Sequence, residues 1–180
     1  RQVGYGEFMS VVLEPMAGRH VDAVCAIDSR CFSRPWSAAQ WRTELAADDR
    51  THLVARDNDQ VVAHAGTLRS LDELHITTVA VDPDHEGKGH GTRLCIELLR
   101  LGIATGATAA TLEVRAQAHR TQRLYGRLGF APAGIRSRYY DRPTDDAVIM
   151  WLHDLDSPEI VERLDRVAAK LLPISDGAAS

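Results

Sequence analysis

Cysteine is scarce in this sequence, and long apolar runs are missing. The three cysteines, Cys25, Cys31 and Cys95, show no zinc-site spacing, and all lie in apolar segments with helical periodicity. This pattern predicts buried, reduced thiols in a cytoplasmic protein. The eight histidines are dispersed along the chain, so we expect no metal site. No apolar run approaches the roughly 18 residues of a membrane span, and no signal peptide is recognisable, so we expect no membrane contact.

An excess of positive charge is also absent. The formal net charge is -4 at pH 7, which is unfavourable for a surface that binds nucleic acid directly. With 44% apolar and 26% charged residues, the 180-residue chain has the composition of a globular protein and the length of one domain. We expect residues 1–9 to form an N-terminal tail, residues 10–155 the domain, and residues 156–180 a C-terminal helix and a disordered tail. We expect a monomer or a weak dimer.

The most informative segment is LHITTVAVDPDHEGKGHGTRLCIELLR, residues 74–100. Its first part is typical of a strand that ends at the Asp-Pro-Asp motif beginning at Asp82, since proline lacks an N–H. A helical pattern begins near His90. Three glycines lie at alternate positions between them: Gly87, Gly89 and Gly91. Glycines let main-chain N–H groups approach a ligand, and the helix N-terminus adds unpaired N–H groups and a positive dipole end, so we predict a phosphate or pyrophosphate site.

Two common nucleotide-binding motifs do not fit this loop. A P-loop requires Gly-Lys-Ser/Thr, which does not occur here, and a dinucleotide fingerprint requires G-x-G-x-x-G, whereas these glycines are spaced two and two. A third motif, [RQ]-x-x-G-x-[GA] after a strand that ends in V-x-P, fits in its second half at Gly89-His90-Gly91. The alternative is a glycine-rich turn without a ligand. It is the weaker reading, because each glycine costs about 1 kcal/mol against alanine in a helix.

Periodicity and turn residues predict the element order β-α-α-β-β-β-α-β-α-β-β, and hence an α/β fold with one mixed sheet and helices on both faces. The predicted strands are residues 10–14, 51–56, 60–69, 71–81, 109–115, 130–138 and 147–152. The predicted helices are residues 17–31, 38–47, 90 to about 102–106, 117–128 and 158 to about 172. An Arg-Tyr-Tyr-Asp-Arg-Pro loop is expected between the last two strands.

A tryptophan pair flanks the start of the second helix. Ser37 and Gln40 have the spacing of a capping box, and Trp36 and Trp41 occupy the staple positions around it. Trp36 either staples this helix to the core or walls a substrate entrance, and the sequence leaves both open.

Three further groups of motifs accompany the glycine loop. They are Pro35-Trp36-Ser37; Leu112-Glu113-Val114-Arg115 with Leu124-Tyr125-x-x-Leu128-Gly129-Phe130; and Arg138-Tyr139-Tyr140 with Asp146-Ala147-Val148-Ile149-Met150. Together with the loop they resemble the GNAT (GCN5-related) N-acetyltransferase superfamily, and within it the RimI-type ribosomal-protein N-alpha-acetyltransferases. The resemblance covers roughly residues 11–152. It implies a mostly antiparallel, six- to seven-stranded central sheet that is splayed at an acetyl-CoA site.

The resemblance also implies a reaction. An acetyl group would pass directly from acetyl-CoA, the co-substrate, to the N-terminal α-amine of a protein, and a ribosomal protein that begins with alanine is the leading substrate. No metal is implied. The segment Val79, Ala80 and Val81 would hold the pantetheine arm. The pyrophosphate would be held by the amides of Gly87, Lys88, Gly89, His90, Gly91 and Thr92.

Site residues carry over from the same motifs. Glu113 is the expected general base and Tyr125 the expected general acid, whereas Trp36, Tyr139 and Tyr140 would line a peptide groove, with one tyrosine in the core. Each has a structural alternative: Glu113 could pair with Arg115, and Tyr125 could simply pack against its helix neighbours. His75, on the strand before the loop, is a rival base.

Two positions depart from the family pattern. Glu86 stands where Arg or Gln is usual and places a carboxylate beside the expected pyrophosphate, and Ala118 stands where Asn is usual. Three functions therefore remain open: acetylation of a protein N-terminus, acetylation of a small amine such as a polyamine, amino acid or aminoglycoside, and a CoA-binding module without turnover. The tryptophan and tyrosine motifs favour the first.

Overall fold

The computed structural model describes residues 11–171 and contains one sheet with helices on both sides. The strands are β1 (Val11–Pro15), β2 (Arg50–Asp57), β3 (Gln60–Ser70), β4 (Glu73–Val81), β5 (Ala109–Arg115), β6 (Ala131–Asp141) and β7 (Thr144–Leu152). The α-helices are α1 (Val21–Cys31), α2 (Ala38–Leu45), α3 (His90–Ala104), α4 (His119–Leu128) and α5 (Pro158–Ala169). Short 3₁₀ turns precede α1 and α3. The predicted tails at residues 1–9 and 173–180 lie outside the described residues.

The sheet has the strand order β1-β2-β3-β4-β5-β7-β6. Every neighbouring pair is antiparallel except β4 and β5, which are parallel. Helices α3, α4 and α5 cover one face, where Leu112 of β5 packs with Leu99, Leu128 and Leu164. Helices α1 and α2 cover the other face. The predicted mixed sheet, mostly antiparallel with helices on both faces, is therefore confirmed.

The parallel strands β4 and β5 separate soon after they meet. The only paired residues are Glu73 to His75 on β4 and Ala109 to Thr111 on β5. A bulge leaves Thr77 of β4 without a paired residue on β3. Because a bulge bends a strand and increases its twist, β4 turns away from β5 at this point. Within residues 11–171 no strand pairs with this edge of β4 beyond His75, so its main-chain groups face an opening.

A buried polar cluster fixes α1 and α2 on their face of the sheet. Oδ1 of Asp28 lies 2.6 Å from Nε2 of His64, and the indole of Trp41 donates a 2.9 Å hydrogen bond to Oδ2 of Asp28. The rings of His64 and His52 both pack edge-on against Trp41. Since a buried carboxylate is costly unless it is hydrogen-bonded, this cluster ties one arrangement of α1, α2, β2 and β3 together.

Most predicted boundaries hold within two or three residues, with a few corrections. The first helix begins with a 3₁₀ turn at residues 18–20, and Leu71 belongs to an exposed turn with φ +53° rather than to β4. The loop predicted between the last strands is wrong: Tyr139 and Tyr140 continue β6, and the chain turns at Arg142-Pro143. Of the described helices, none has the length and apolar character needed to cross a membrane.

Candidate active site

The opening between β4 and β5 continues into a cleft of about 1300 Å³. All nine residues predicted to bind the cofactor line this cleft: Val79, Ala80, Val81, Gly87, Lys88, Gly89, His90, Gly91 and Thr92. Residues from α1 and α4, together with the two residues that follow α5, complete its walls. The structure thus brings the strand edge and the glycine loop into one concave surface, as the family resemblance implies.

The glycine loop has a conformation that requires glycine. Gly87 and Gly89 have φ values of +78° and +84°, in the left-handed region that side chains disfavour. Gly89 is the N-cap of α3. A Cβ on Gly91 would lie 3.4 Å from a methyl group of Val81, so the first turn of α3 packs closely on β4. The glycines therefore place no side chain of their own over the first amides of α3. A methyl group of Leu171 lies against Gly89, 3.0 Å from the position that a Cβ there would occupy.

The start of the loop is fixed by an ion-pair network. Oδ1 of Asp82 accepts a 2.9 Å hydrogen bond from the main-chain N–H of Asp84. Arg30 of α1 donates to Oδ1 of Asp82 at 2.7 Å and to Asp84 at 3.0 Å. The Arg30 guanidinium lowers the pKa of Asp84. Arg30 lines the cleft, but its charge is already paired with the carboxylates of Asp82 and Asp84.

Tyr125 lies at the wall of the cleft with its ring packed into the core. Only 6% of the residue is exposed, and its ring packs edge-on against Phe130 at 5.8 Å. Burial raises the pKa of Tyr125 well above its ordinary value, with further contributions from Cys95 and Tyr140. The phenol therefore carries its proton at physiological pH. Tyr125 therefore packs in the core, as the structural alternative predicts, and it also lines the cleft.

The two rival bases form one hydrogen-bonded pair. Oε2 of Glu113 accepts a 2.6 Å hydrogen bond from Nε2 of His75, and the Arg136 guanidinium lies 3.6 Å from Oε1. The Glu113 side chain is only 13% exposed, whereas that of His75 is 34% exposed. The alternative pairing of Glu113 with Arg115 is wrong, because Arg115 is held elsewhere. His75 is the last residue of β4 that pairs with β5, and Glu113 lies two residues beyond its partner Thr111. Neither side chain is part of the cleft lining.

Arg115 organises the end of the β6–β7 hairpin. Its guanidinium stacks 4.1 Å from the ring centre of Tyr140 and donates hydrogen bonds to the carbonyls of Arg142 and Pro143. Tyr140 is mostly buried, and burial raises its pKa, to which Tyr139 and Glu113 add. Tyr139 is 48% exposed. Of the two tyrosines, Tyr140 is thus the packed one and Tyr139 the accessible one.

The loop between α1 and α2 faces this hairpin. Arg34 forms a 3.1 Å ion pair with Asp141 at the end of β6. Trp36 packs edge-on against Trp41 with ring centres 5.0 Å apart, yet it remains 40% exposed. The capping box at Ser37 is present, with reciprocal hydrogen bonds to Gln40. The staple role of Trp36 is therefore confirmed, and its free surface leaves the second role available.

Comparison with known proteins matches residues 21–130 to the Acetyltransferase (GNAT) family. The chain belongs to the GNAT family. It is 32% identical over 133 residues to a putative [ribosomal protein bS18]-alanine N-acetyltransferase of Bacillus subtilis, covering 73% of this chain and 88% of that protein. It is 34% identical over 130 residues to the [ribosomal protein bS18]-alanine N-acetyltransferase of Escherichia coli, covering 70% and 86%.

Solved structures give the same result. The crystal structure of the ribosomal-protein-S18-alanine N-acetyltransferase from Escherichia coli matches with a TM-score of 0.74 and 29% identity, over 80% of this chain and 94% of that one. The chain of a Salmonella typhimurium GNAT-fold protein with its cofactor acetyl-CoA matches with a TM-score of 0.70 at 20% identity, which shows the shared fold. The predicted GNAT fold and N-acetyltransferase class are confirmed.

The GNAT family uses acetyl-CoA, and the residues of this cleft fit such a group. The left-handed glycines add no side chain in front of the loop amides, and the open edge of β4 offers unpaired main-chain groups. Coenzyme A is an elongated molecule with a phosphate-bearing end, which suits a long cleft with a helix N-terminus at its wall. No group of three or more His, Cys, Asp or Glu residues with metal-binding geometry occurs between residues 11 and 171.

Several residues of this GNAT cleft were not singled out from the sequence. Arg120, Arg123 and Arg127 of α4 line it, as do Lys170 and Leu171 after α5. The spacing of the three arginines on a helix was the available signal, since it places them on neighbouring turns. The thiols also differ from the expectation, because only Cys95 is buried, with its pKa raised to about 12 by burial. Cys31 is exposed and lines the cleft.

Proposed function

We propose that this GNAT protein acetylates the N-terminal α-amine of a protein by direct transfer from acetyl-CoA. A ribosomal protein with an N-terminal alanine is the leading substrate, because relatives with 32–34% identity carry that specificity in their names. The observation that supports the proposal most is the Glu113–His75 pair at the mouth of the splayed strands. The pair places a proton acceptor where β4 and β5 separate, next to the cleft lining rather than within it.

The chain holds the donor mainly through its backbone. Bound acetyl-CoA supplies the activated acetyl thioester. We assign the amides from Gly87 to Thr92 to its pyrophosphate and the open edge of β4 at Val79, Ala80 and Val81 to its pantetheine arm. A main-chain N–H at that edge would also donate to the thioester oxygen, where negative charge develops during attack. One such preorganised donor is worth about 3 kcal/mol or more in related chemistry.

Glu113 acts as the general base, directly or through a water molecule. A protein α-amine has a reference pKa of about 8, well below the value of about 10.4 for lysine, so it needs little help to lose its proton near neutral pH. The Glu113 carboxylate accepts that proton while His75 holds its second oxygen in place. The exposed imidazole gives the proton a route towards solvent. In this mechanism Glu113 is the base and His75 orients it, so the two candidate bases act together.

Tyr125 acts as the general acid for the leaving thiolate. Its phenol is protonated, because burial raises its pKa. A free thiolate with a reference pKa of about 8.5 would be a weak match for this donor. The leaving thiolate would form beside this buried phenol, however, where it is desolvated too. Desolvation raises the pKa of the thiol as well, so the thiolate becomes a stronger proton acceptor.

The acceptor peptide would lie between the α1–α2 loop and the β6–β7 hairpin. Trp36 and Tyr139 present exposed aromatic surface on these two segments, and the Arg34–Asp141 ion pair links them. Tyr140 supports the groove from below through Arg115. An open groove with aromatic walls suits an extended chain end better than a small free amine.

A panel of acceptors tests the proposal. The protein and labelled acetyl-CoA are incubated with an alanine-starting peptide, with the same peptide blocked at its α-amine but containing an internal lysine, and with a polyamine, an amino acid and an aminoglycoside. Acetylation of the free α-amine alone is expected, with Glu113→Gln as the background. Turnover only on the small amines would contradict the protein substrate, and acetyl-CoA binding without any turnover would contradict the enzymatic role of this cleft.

A further inference from the structure

Arg120 lies directly over the glycine loop. Its Nη2 atom is 3.7 Å from the position that a Cβ on Gly87 would occupy, and the residue lines the cleft. Arg120 itself is exposed and belongs to the first turn of α4, on the opposite wall from α3. The side chain therefore reaches the loop from outside the segment that carries the glycine motif.

The position of Arg120 on its helix is electrostatically unfavourable. A cation in the first turn faces the positive end of the helix dipole, and α4 has no acidic residue in that turn to offset it. Arg127, in the last turn of the same helix, sits where the dipole favours a cation. Among the ion pairs between residues 11 and 171, none involves Arg120. Its charge thus has no compensation within the described fold.

The loop beneath it carries charges of both signs, because Glu86 and Lys88 both line the cleft. Glu86 precedes Gly87, lines the cleft and is exposed. Arg30, the cation of α1 in this cleft, is held by Asp82 and Asp84. A pyrophosphate at the loop amides would therefore meet the Glu86 carboxylate beside Lys88, and a cation on the facing wall at Arg120 would offset that carboxylate.

We propose that Arg120 binds the pyrophosphate of acetyl-CoA from across the cleft and offsets the charge of Glu86. This inference rests on the proposed function, since it assigns a partner within the same donor site. A guanidinium can donate two parallel hydrogen bonds to phosphate oxygens, and the loop amides bind from the other side. The anion would then lie between α3 and α4. Its negative charge would offset the unfavourable interaction between the Arg120 cation and the positive end of the α4 dipole.

Calorimetric titration with three probes tests the assignment without reference to turnover. The probes are coenzyme A, dephospho-coenzyme A, which keeps the pyrophosphate but lacks the 3′-phosphate, and pantetheine, which has no phosphate. Arg120→Gln is expected to raise Kd for the first two by the same factor, about tenfold or more, and to leave pantetheine unchanged. Arg166→Gln, which removes an exposed cation of α5 away from the cleft, is the matched control and should change none of them.

Each other result has a definite meaning. A loss for coenzyme A but not for dephospho-coenzyme A would move Arg120 to the 3′-phosphate and overturn the assignment. An equal loss for pantetheine would indicate a distorted fold, and it would overturn the assignment as well. Unchanged affinities for all three would do the same, while leaving the proposed function intact. If the unchanged protein does not bind coenzyme A at all, the proposed function fails and this inference fails with it.

An exchange of charge between the two walls gives an independent check. Glu86→Arg in the Arg120→Gln background is expected to restore coenzyme A affinity to within about threefold of the original, since the cation is returned to the loop. Glu86→Gln alone should tighten binding, because it removes the opposing charge. A purely structural role for Arg120 would not be repaired by a cation at position 86, so absence of rescue by Glu86→Arg would contradict the proposal.

Discussion

At residue scale, the proposed chemistry depends on a carboxylate with two partners. Glu113 is held by His75 at 2.6 Å and faced by Arg136 at 3.6 Å. We expect Glu113→Gln to lower kcat about a hundredfold or more, because general-base catalysis typically contributes that much. His75→Gln should lower kcat about tenfold, since the base remains but loses its orientation and its proton route. Steady-state kinetics on the alanine-starting peptide measure both.

The double variant distinguishes a coupled pair from two independent groups. If His75 acts through Glu113, the combined loss should be close to that of Glu113→Gln alone. Multiplied losses would show that His75 acts independently of the carboxylate. A larger loss for His75→Gln than for Glu113→Gln would make the imidazole the base and reverse the assigned roles.

Tyr125 allows a second prediction at this scale. Tyr125→Phe removes one hydroxyl while the ring keeps its contact with Phe130. Turnover should fall at least about tenfold because the leaving thiolate loses its proton donor, whereas acetyl-CoA affinity should be largely kept. Pre-steady-state kinetics and calorimetry on one preparation separate the two quantities. Unchanged turnover would remove Tyr125 from the mechanism.

The sequence predicts single residues well where the reason is local. Glycines at positive φ, such as Gly87 and Gly89, and the capping residue Ser37 act within a few residues of the chain. The Glu113–His75 pair was not predicted as a pair, because its members lie 38 residues apart and meet only through the register of β4 and β5. The buried Asp28–His64 contact was missed for the same reason.

At element scale, the α1–α2 loop raises the question of what Trp36 contributes. We expect Trp36→Leu to keep most of the stability, since leucine still packs on Trp41, but to raise KM for the peptide several-fold. Trp36→Ala should both raise KM and lower the free energy of unfolding by about 1–3 kcal/mol through lost burial. Denaturant unfolding and peptide kinetics on the two variants check this.

Comparing Trp36→Leu with Trp36→Ala shows whether Trp36 only staples α2 to the core or also contacts the peptide. An unchanged KM in Trp36→Leu, together with a lower stability in Trp36→Ala, would leave the tryptophan as a staple alone. Exposed Phe32, on the same loop, offers a matched control for nonspecific loss of aromatic surface. Phe32→Leu should affect the cofactor cleft, which it lines, more than the peptide KM.

Elements whose ends carry strong local signals were placed well from the sequence. Helix α3 begins at His90 and β5 spans Ala109–Arg115, as the periodicity predicts. The tip of the β6–β7 hairpin was misplaced because Arg115, from a different strand, stabilises it through the carbonyls of Arg142 and Pro143. The divergence of β4 and β5 came from the family resemblance, and its physical cause, the bulge at Thr77, appears only in the structure.

At the scale of the whole molecule, buried histidines make stability depend on pH. Burial lowers the pKa of His20, His52 and His90 below the ordinary value. Well above about pH 6.5 these groups are neutral in both states, so their contribution to stability is fully present. As pH falls below that value the unfolded chain binds protons that the folded chain resists, so stability falls. Thermal unfolding from about pH 7.5 to pH 5 should show a decreasing Tm.

A histidine variant shows which groups are responsible. His52→Gln should reduce the proton uptake on unfolding near pH 6 by up to about one proton, whereas the matched change at exposed His119 serves as the control. Measurements kept above about pH 5 stay above the reference pKa values of Asp and Glu, at which carboxylates of the unfolded chain bind protons. The pKa of folded Glu14 lies lower still, because its arginine partners outweigh the effect of burial. A Tm that is flat or rises towards acid pH would contradict the account.

The most direct test is an amide spectrum of the ¹⁵N-labelled protein with and without acetyl-CoA. We predict large shifts for the amides from Gly87 to Thr92 and for Val79, Ala80 and Val81, with smaller ones at Arg120 and Tyr125. The amides of β1 and β2, which lie away from the cleft, should stay in place. Shifts confined to other regions, or an unchanged spectrum at millimolar acetyl-CoA, would contradict the claim that this loop and strand edge hold the acetyl donor.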